Sequence, residues 1–353
     1  MKNFKIAFFY PKFFPVTGGA SVHGYYLAKG LHNKGYEIIT FQNQKDDFTF
    51  KASKNIISLI YKILISDLVY VRFIYFGKTN YIPLIAKLLR KKTIVEFNSP
   101  SDELLMLGRN KNEVIKNDKK LKSLISYADT VIAISENMKN YCINELKCKN
   151  VVIVENGGEK IDISKLNVPD SIIEAVNKIK SSFIKTVIWS GTNTSWQGID
   201  IIENIITKTN KNTAFILICN DISLIEKYKN IQNVFIFSDL SRDSVSYLTI
   251  NSNIGLALYG DYSWSRYGFY GSSLKYFDYL INGLYVVATP LGHIKKDNFN
   301  NLIPGNNPDE IINFIDNFVA NQMPDTSKNH YRSWEDVVDE TDKIIKKLLK
   351  KGN

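Results

Sequence analysis

The sequence predicts an α/β protein built from two doubly wound sheets, each in its own domain, facing one another across a central cleft. Three observations lead there. The chain has 353 residues, more than one hydrophobic core usually serves. Short β-branched runs alternate with longer amphipathic ones, the pattern of parallel α/β units. The alternation starts afresh after Pro169, so each half of the chain carries a full set of strands and helices.

In the first set, Lys5–Tyr10 reads as a strand, Pro11–Ala20 as a loop and Val22–Lys34 as a helix ended by Gly35, a residue suited to the left-handed cap position. Further strands are predicted at Ile38–Phe41, Leu68–Arg72, Thr93–Phe97, Thr130–Ala133 and Val151–Glu155, with helices at Ile82–Leu89 and Glu113–Tyr127 between them. In the second set, strands fall at Thr186–Ser190, Ala214–Cys219, Val234–Phe237, Ile254–Leu258 and Tyr285–Ala288. Its helices fall at Ile199–Lys208, Ile222–Tyr228, Arg242–Thr249 and Leu274–Ile281, and a last helix covers Trp334–Lys350. The domains are expected over residues 1–165 and 166–330, with a linker inside Glu159–Lys180 and residues 331–353 packing back on the first domain. Ligands of such sheets sit beyond the C-terminal strand ends.

Composition narrows the chemistry. Hydrophobic residues make up 44% and charged residues 23%, which excludes extended disorder. No run of about 18 uncharged apolar residues occurs and no signal peptide opens the chain, so a cytoplasmic protein is expected. The three cysteines, Cys142, Cys148 and Cys219, have no metal or redox spacing, and four scattered histidines argue against zinc. The formal net charge is +10, with basic clusters at Lys87, Arg90, Lys91 and Lys92, at Lys116, Lys119, Lys120 and Lys122, and over Lys343–Lys351. The helix around Pro83–Lys92, apolar at Leu84, Ile85, Leu88 and Leu89, reads either as a core helix with a basic outer face or as a peripheral contact with an anionic membrane. No nucleic-acid-binding signature accompanies the charge.

Two glycine segments carry the functional argument. Gly18-Gly19 lies between the first strand and first helix, where backbone amides and the helix dipole can meet a phosphate. Gly271-Ser272-Ser273-Leu274-Lys275-Tyr276-Phe277-Asp278 has helix-start chemistry before an apolar period, and its free amides form an anion site. Lys275 and Asp278, three apart, share a face. The cation suits a diphosphate and the carboxylate suits ribose hydroxyls; the plain alternative is a surface ion pair beside a Ser cap. Glu96-Phe97-Asn98 at a strand end reads either as a carboxylate that orients or deprotonates an acceptor hydroxyl, with Asn98 beside it, or as one tied to loop amides. His23 and His293 read as structural, His23 with some scope for a phosphate or acceptor contact. The aromatic cluster Tyr259–Tyr270, with Trp264, Arg266 and Tyr267, reads as a lid over donor sugar or acceptor, or as a packed loop.

The order and spacing of these segments resemble the retaining GT-B glycosyltransferases of the large bacterial GT4-type group. The resemblance rests on Gly18-Gly19, Ala128–Glu136, Asn156-Gly157, Gly191–Gly198 with Trp196, the run from Gly271 to Thr289 and Tyr331–Val337, and it covers nearly the whole chain. It implies two Rossmann-like domains and transfer from a UDP- or GDP-linked sugar to a glycan, lipid-linked or protein-linked acceptor in surface polysaccharide or glycoconjugate synthesis, at the inner face of the cell membrane and without a metal. It puts Asp278 at the ribose-holding glutamate and Tyr270 at the preceding glutamate, and the base in the loop Ser238-Asp239-Leu240. Trp196 joins Tyr270, Trp264, Asn98 and His23 as a donor-sugar or acceptor contact. The basic pair of the family falls at Thr192 and Gln197, so diphosphate neutralisation rests on Lys275, Arg266 and the amides of Gly18, Gly19, Gly271, Ser272 and Ser273. Glu96 and Lys275 are the expected catalytic residues. A nucleotide-sugar epimerase of the same fold and a catalytically silent nucleotide-sugar-binding protein are the alternatives.

Overall fold

The computed structural model describes residues 4–10, 16, 18–40, 56–260, 262–320, 324 and 329–350. Most of the predicted loop at 11–20, Phe41, Asp261 and Lys351 lie outside the described residues. The chain divides into two compact units. Unit 1 comprises Met1–Asn156, Ser263–Ser272 and Trp334–Asn353, and unit 2 comprises Gly157–Tyr262 and Ser273–Ser333.

Unit 1 opens with β1 (Lys5–Phe9), α1 (Gly19–Asn33), β2 (Glu37–Thr40), α2 (Ile56–Ile65), β3 (Leu68–Phe73), α3 (Ile82–Leu88) and β4 (Lys92–Phe97). It continues through α4 (Glu103–Met106), α5 (Lys111–Ile125), β5 (Thr130–Ala133), α6 (Glu136–Asn144) and β6 (Val151–Ile153). Its six strands lie in the order β2-β1-β3-β4-β5-β6, every described pair parallel. Alternation along the strands sorts the core. Ala7 and Phe9, Val69, Val71 and Phe73, and Val95 and Phe97 point to one face, where residues of α2, α3, α5 and α6 cover them.

Unit 2 contains α7 (Asp170–Ser182), β7 (Lys185–Ser190), α8 (Ile199–Lys208), β8 (Thr213–Ile218), α9 (Ile222–Tyr228), β9 (Val234–Phe237) and α10 (Arg242–Ile250). Then follow β10 (Ile254–Ala257), α11 (Leu274–Ile281), β11 (Tyr285–Ala288), β12 (Leu302–Pro304) and α12 (Pro308–Asn317). Its strand order is β12-β11-β10-β7-β8-β9. Val187, Trp189, Phe215, Leu217 and Leu256 pack with α8 and α12 on one face. Ile188, Ala214, Ile216 and Ala257 pack with α7 and α11 on the other. The last helix, α13 (Trp334–Lys350), belongs to unit 1. It lies against α1, with Trp334 stacked on Tyr26 at 5.4 Å and Tyr36 Oη donating to Asp342 at 2.6 Å.

Most of the predicted elements are present within a residue or two of their expected ends, and Gly35 takes φ +93 at the end of α1 as its cap position requires. Two features depart from the sequence reading. Glu159–Lys180 is structure of unit 2 rather than linker: the backbone N–H of Glu159 donates to Asp278 at 3.0 Å and Gly158 forms a parallel bridge with Ser333. The aromatic segment 263–272, assigned to the second domain by its place in the sequence, is built into unit 1. Among the described residues, no helix is long and apolar enough to cross a membrane.

Candidate functional site

In unit 2 the chain runs outward through β7, β8 and β9, then returns to the other side of β7 to lay down β10, β11 and β12. The connections after β7 and β10 thus diverge at their C-terminal ends, the switch point where open α/β sheets place ligands. Lys275 stands there, in the first turn of α11. Its Nζ donates to the carbonyl of Ser190, the last residue of β7, at 3.1 Å and to Gln197 Oε1 at 3.0 Å. The ammonium also lies 5.2 Å from the ring centroids of Trp189 and Tyr259. All these partners are neutral, and among the described residues Lys275 forms no ion pair. Burial lowers its pKa to about 7.

Helix α11 starts as its sequence predicts. Ser273 is the N-cap, its Oγ accepting from the Tyr276 amide at 3.2 Å and from the Tyr259 hydroxyl. The amides of Leu274 and Lys275 precede any intrahelical acceptor and are free to meet an anion. Gly198, the αL N-cap of α8 at φ +72, is required by crowding as well as by its backbone, since a Cβ there would sit 3.1 Å from the Leu258 carbonyl.

Asp278, one turn further along α11, is 8% exposed. Its Oδ2 accepts from Arg242 Nη2 at 2.8 Å and its Oδ1 from the Glu159 amide. Arg242, which sequence reasoning missed, thus supplies a second cation one helical turn from Lys275. The predicted base loop is open to solvent at Ser238 and Asp239, with Leu240 half-buried. Asp239 adopts φ +52, strained for a non-glycine residue, and is held there by a reciprocal pair of bonds with Asn220 at 2.9 and 3.0 Å. Trp196 lies in a 3-10 turn (Ser195–Gln197), and its carbonyl accepts from the Gly260 amide at 3.2 Å. Thr192 is exposed. His293 is structural: it stacks on Phe277 at 5.0 Å, and burial with the nearby Arg332 charge lowers its pKa to about 4.

Unit 1 gathers a different set. Gly18 is the N-cap of α1 at φ −155, and a Cβ added there meets nothing within 4 Å. Neither backbone nor packing therefore requires glycine at 18. Its amide, however, donates to Ser21 Oγ at 3.1 Å, so of the expected phosphate-facing pair only the Gly19 amide has no partner among the described residues.

Glu96 is not placed to act as a base. It is 1% exposed, with Oε1 accepting from Tyr10 Oη at 2.7 Å and Oε2 from Tyr70 Oη at 2.5 Å, and with His23 Nε2 3.0 Å from Oε2. Burial raises its pKa, but His23, Arg72 and Tyr70 outweigh burial and hold it at about 2. Such a carboxylate does not accept a proton near neutrality. His23 Nδ1 meets Asn156 Oδ1 at 2.5 Å. The Asn156 amide orientation is fixed by Nδ2 donating to the Ser272 carbonyl at 2.6 Å, while Asn156 N donates to Ser272 Oγ at 2.8 Å. The two ring nitrogens of His23 thus face Glu96 and Asn156. The relay Glu96–His23–Asn156–Ser272 fixes the residue directly before the cap of α11. No local motif announces Tyr10, Tyr70 or Arg72; their i, i+2 spacing on β3 and the register of Arg72 opposite Glu96 bring them together.

Close to Glu96 in sequence, Glu103 has a contrasting environment. Burial raises its pKa to about 7 against the hydrogen bond from Ser99 Oγ, 2.5 Å from Oε2. Asn98 Oδ1 is buried without a hydrogen-bond partner.

Three residues of segment 263–272 expected as ligand contacts are engaged by groups of unit 1, Tyr270 buried, Trp264 half-buried and Arg266 exposed. Arg266 donates to Asp102, Asp118 and Glu145 at 2.8, 2.8 and 2.7 Å, and a guanidinium already matched to three carboxylates has no charge to offer a diphosphate. Tyr270 is 4% exposed, with its hydroxyl on Asp102 at 2.5 Å. Trp264 packs against the same core. At Gly271 a Cβ would approach the ring of Phe269, two residues earlier, to 2.9 Å.

No protein-family profile matches the sequence, and no curated protein matches it. Solved structures do. A sucrose-phosphate synthase from Thermosynechococcus elongatus superposes with a TM-score of 0.66 at 13% identity, over 98% of this chain and 99% of that one. Anabaena HepE, solved in complex with UDP and glucose, gives 0.66 at 13% identity over 98% and 100%. A glycosyltransferase from Rickettsia africae gives 0.65 at 16% identity over 99% and 100%. The chain has the fold of these GT-B glycosyltransferases. Likeness at such identities establishes the architecture; the chemistry has to come from the residues.

Proposed function

We propose that the protein is a glycosyltransferase that moves a sugar from a nucleoside diphosphate sugar to a hydroxyl acceptor with retention at the anomeric carbon, on the plan of the GT4-type group. The observation that carries this reading is Lys275: a buried ammonium at the switch point of unit 2, held by neutral groups beside free amides of a helix N-terminus. That is a site for an anion, and a leaving diphosphate supplies one. Asp278 keeps one further lone pair on each oxygen for ribose hydroxyls, and Arg242 screens its charge. HepE shares the fold and was solved with UDP-glucose, which makes UDP-glucose the first donor to test.

In the proposed step the acceptor oxygen bonds to the anomeric carbon as the bond to the diphosphate oxygen breaks. The electron pair leaves on the diphosphate, which takes the acceptor proton on the same face. No resident metal is invoked, because Lys275 and the α11 amides provide the countercharge; chelation of divalent metals then leaves turnover unchanged. A glycan or lipid-linked acceptor in surface glycoconjugate synthesis fits this reading.

Incubation with a panel of UDP- and GDP-sugars tests it. Release of nucleoside diphosphate by the wild-type protein and its loss, by about 100-fold or more, in Lys275→Met is the expected result. Sugar interconversion without release would identify an epimerase, and binding without turnover a silent nucleotide-sugar-binding protein.

A further inference from the structure

Helix α2, Ile56–Ile65, is apolar at eight of its ten positions, Ser58 and Lys62 being the exceptions. A helix that is hydrophobic all round is ordinarily buried all round. Here only half of it is. Ile63 and Leu59 face the sheet with the unit 1 core, and Lys62 reaches inward to the Thr40 carbonyl at 2.8 Å. Ile57, Ile60, Tyr61 and Leu64, at i, i+3, i+4 and i+7, form the outward stripe, exposed by 76, 38, 60 and 49%.

The surroundings of this stripe are cationic. The crossovers holding α2, α3 and α5 link β2 to β3, β3 to β4 and β4 to β5, and all three helices cover one face of the sheet. Lys91 Nζ donates to the Ser66 carbonyl at 2.7 Å, tying the end of α3 to the end of α2. The outer side of α3 carries exposed Lys87, Leu88 and Arg90. That of α5 carries exposed Lys111, Ile115, Lys116, Lys119, Lys120 and Lys122. Neither α2 nor α3 contains an acidic residue.

We infer that the α2–α3–α5 face of unit 1 docks on an anionic lipid bilayer, with the α2 stripe entering the headgroup region and the lysines of α3 and α5 meeting lipid phosphates. An in-plane helix with an apolar side and a Lys/Arg fringe is the form such binding takes. A second copy of the chain is the poorer occupant, because a two-fold contact through this face would set the same lysines against each other. The inference is independent of the proposed activity.

Sedimentation with vesicles tests it, using phosphatidylcholine alone and phosphatidylcholine mixed with phosphatidylglycerol. Binding to the mixed vesicles at low salt, lost at high salt and absent with phosphatidylcholine alone, is expected. The doubly substituted Tyr61→Glu/Leu64→Glu protein should lose that binding while its thermal unfolding is unchanged. Ile57→Asn, at the most exposed stripe position, serves as the check should the double variant misfold, and it should weaken binding. Lys87→Ala and Arg90→Ala should each cost roughly fivefold. Wild-type protein that ignores anionic vesicles, or stripe variants that bind them as wild type does, would overturn the inference. So would a wild-type dimer that the stripe variants abolish, since that assigns the face to a second copy.

Discussion

A buried ammonium with only neutral partners gives up its proton more readily than a solvated one, and at Lys275 the pKa near 7 makes ligand affinity depend on pH. In the free protein the proton leaves as pH rises through neutrality. A bound diphosphate restores the charge and lifts the pKa, so binding is tightest below about pH 7. Above it, UDP-glucose affinity should fall by up to roughly tenfold per pH unit. Calorimetric titration of wild-type and Lys275→Arg proteins checks this, because the arginine variant stays charged and should show a flat profile; a flat wild-type profile would remove Lys275 from the phosphate. Glu96 makes the opposite case. Its carboxylate faces the His23 ring, the Arg72 charge and two tyrosine hydroxyls, so Glu96→Gln should destabilise the protein by about 3 kcal/mol. A group whose folded pKa is depressed stabilises fully above its unfolded value, here 4.5, and loses that contribution as pH falls through about 2. Denaturant titrations should therefore show the difference between wild type and Glu96→Gln shrinking below pH 4.5.

Among the elements, the fit of α1 to α13 turns on a single glycine. A Cβ at Gly30 would lie 2.2 Å from Val338 Cγ2. Alanine favours a helix over glycine by about 1 kcal/mol, yet overpacking typically costs 1–3 kcal/mol. Gly30→Ala should therefore lower stability by about 1 kcal/mol net, and adding Val338→Ala should recover part of it; chemical denaturation of the two proteins decides. The same scale explains what was legible in the sequence. Helix α11 could be read because its cap, its apolar period and Gly283 are local signals. Strands β7, β8 and β10 could be read because both faces are buried, leaving continuous apolar runs. Helix α2 escaped because nearly every position is apolar, so it has no period to detect. The Glu96 network escaped for a different reason: Tyr10, His23, Tyr70, Arg72, Glu96 and Asn156 come from separate elements and meet only through sheet register. Lys275 was legible by spacing, whereas its neutral cage of Ser190, Gln197, Trp189 and Tyr259 depends on the return of the chain to β10.

On the scale of the whole molecule, neither unit is one continuous stretch of chain. Unit 1 is completed by residues 263–272, which arrive from between β10 and α11, and by α13 from the far end. Segment 263–272 brings Arg266 and Tyr270 to Asp102, a carboxylate that is fully buried. Helix α13 buries Trp334, Val337, Val338, Ile345 and Leu348. At about 1.5–3 kcal/mol for each large apolar side chain, that burial is comparable to the whole stability of an ordinary domain, about 5–15 kcal/mol. The cores of unit 2 close on its own helices α7, α8, α10, α11 and α12. A chain ending at Ser333 should accordingly keep unit 2 folded and lose cooperative folding of unit 1. Hydrogen exchange followed by peptide mass spectrometry separates the two responses: β7, β8 and β10 should remain protected, while β1, β3 and β4 exchange rapidly. Equal protection of β1 and β7 in the shortened chain would mean that the α1 face closes without its last helix.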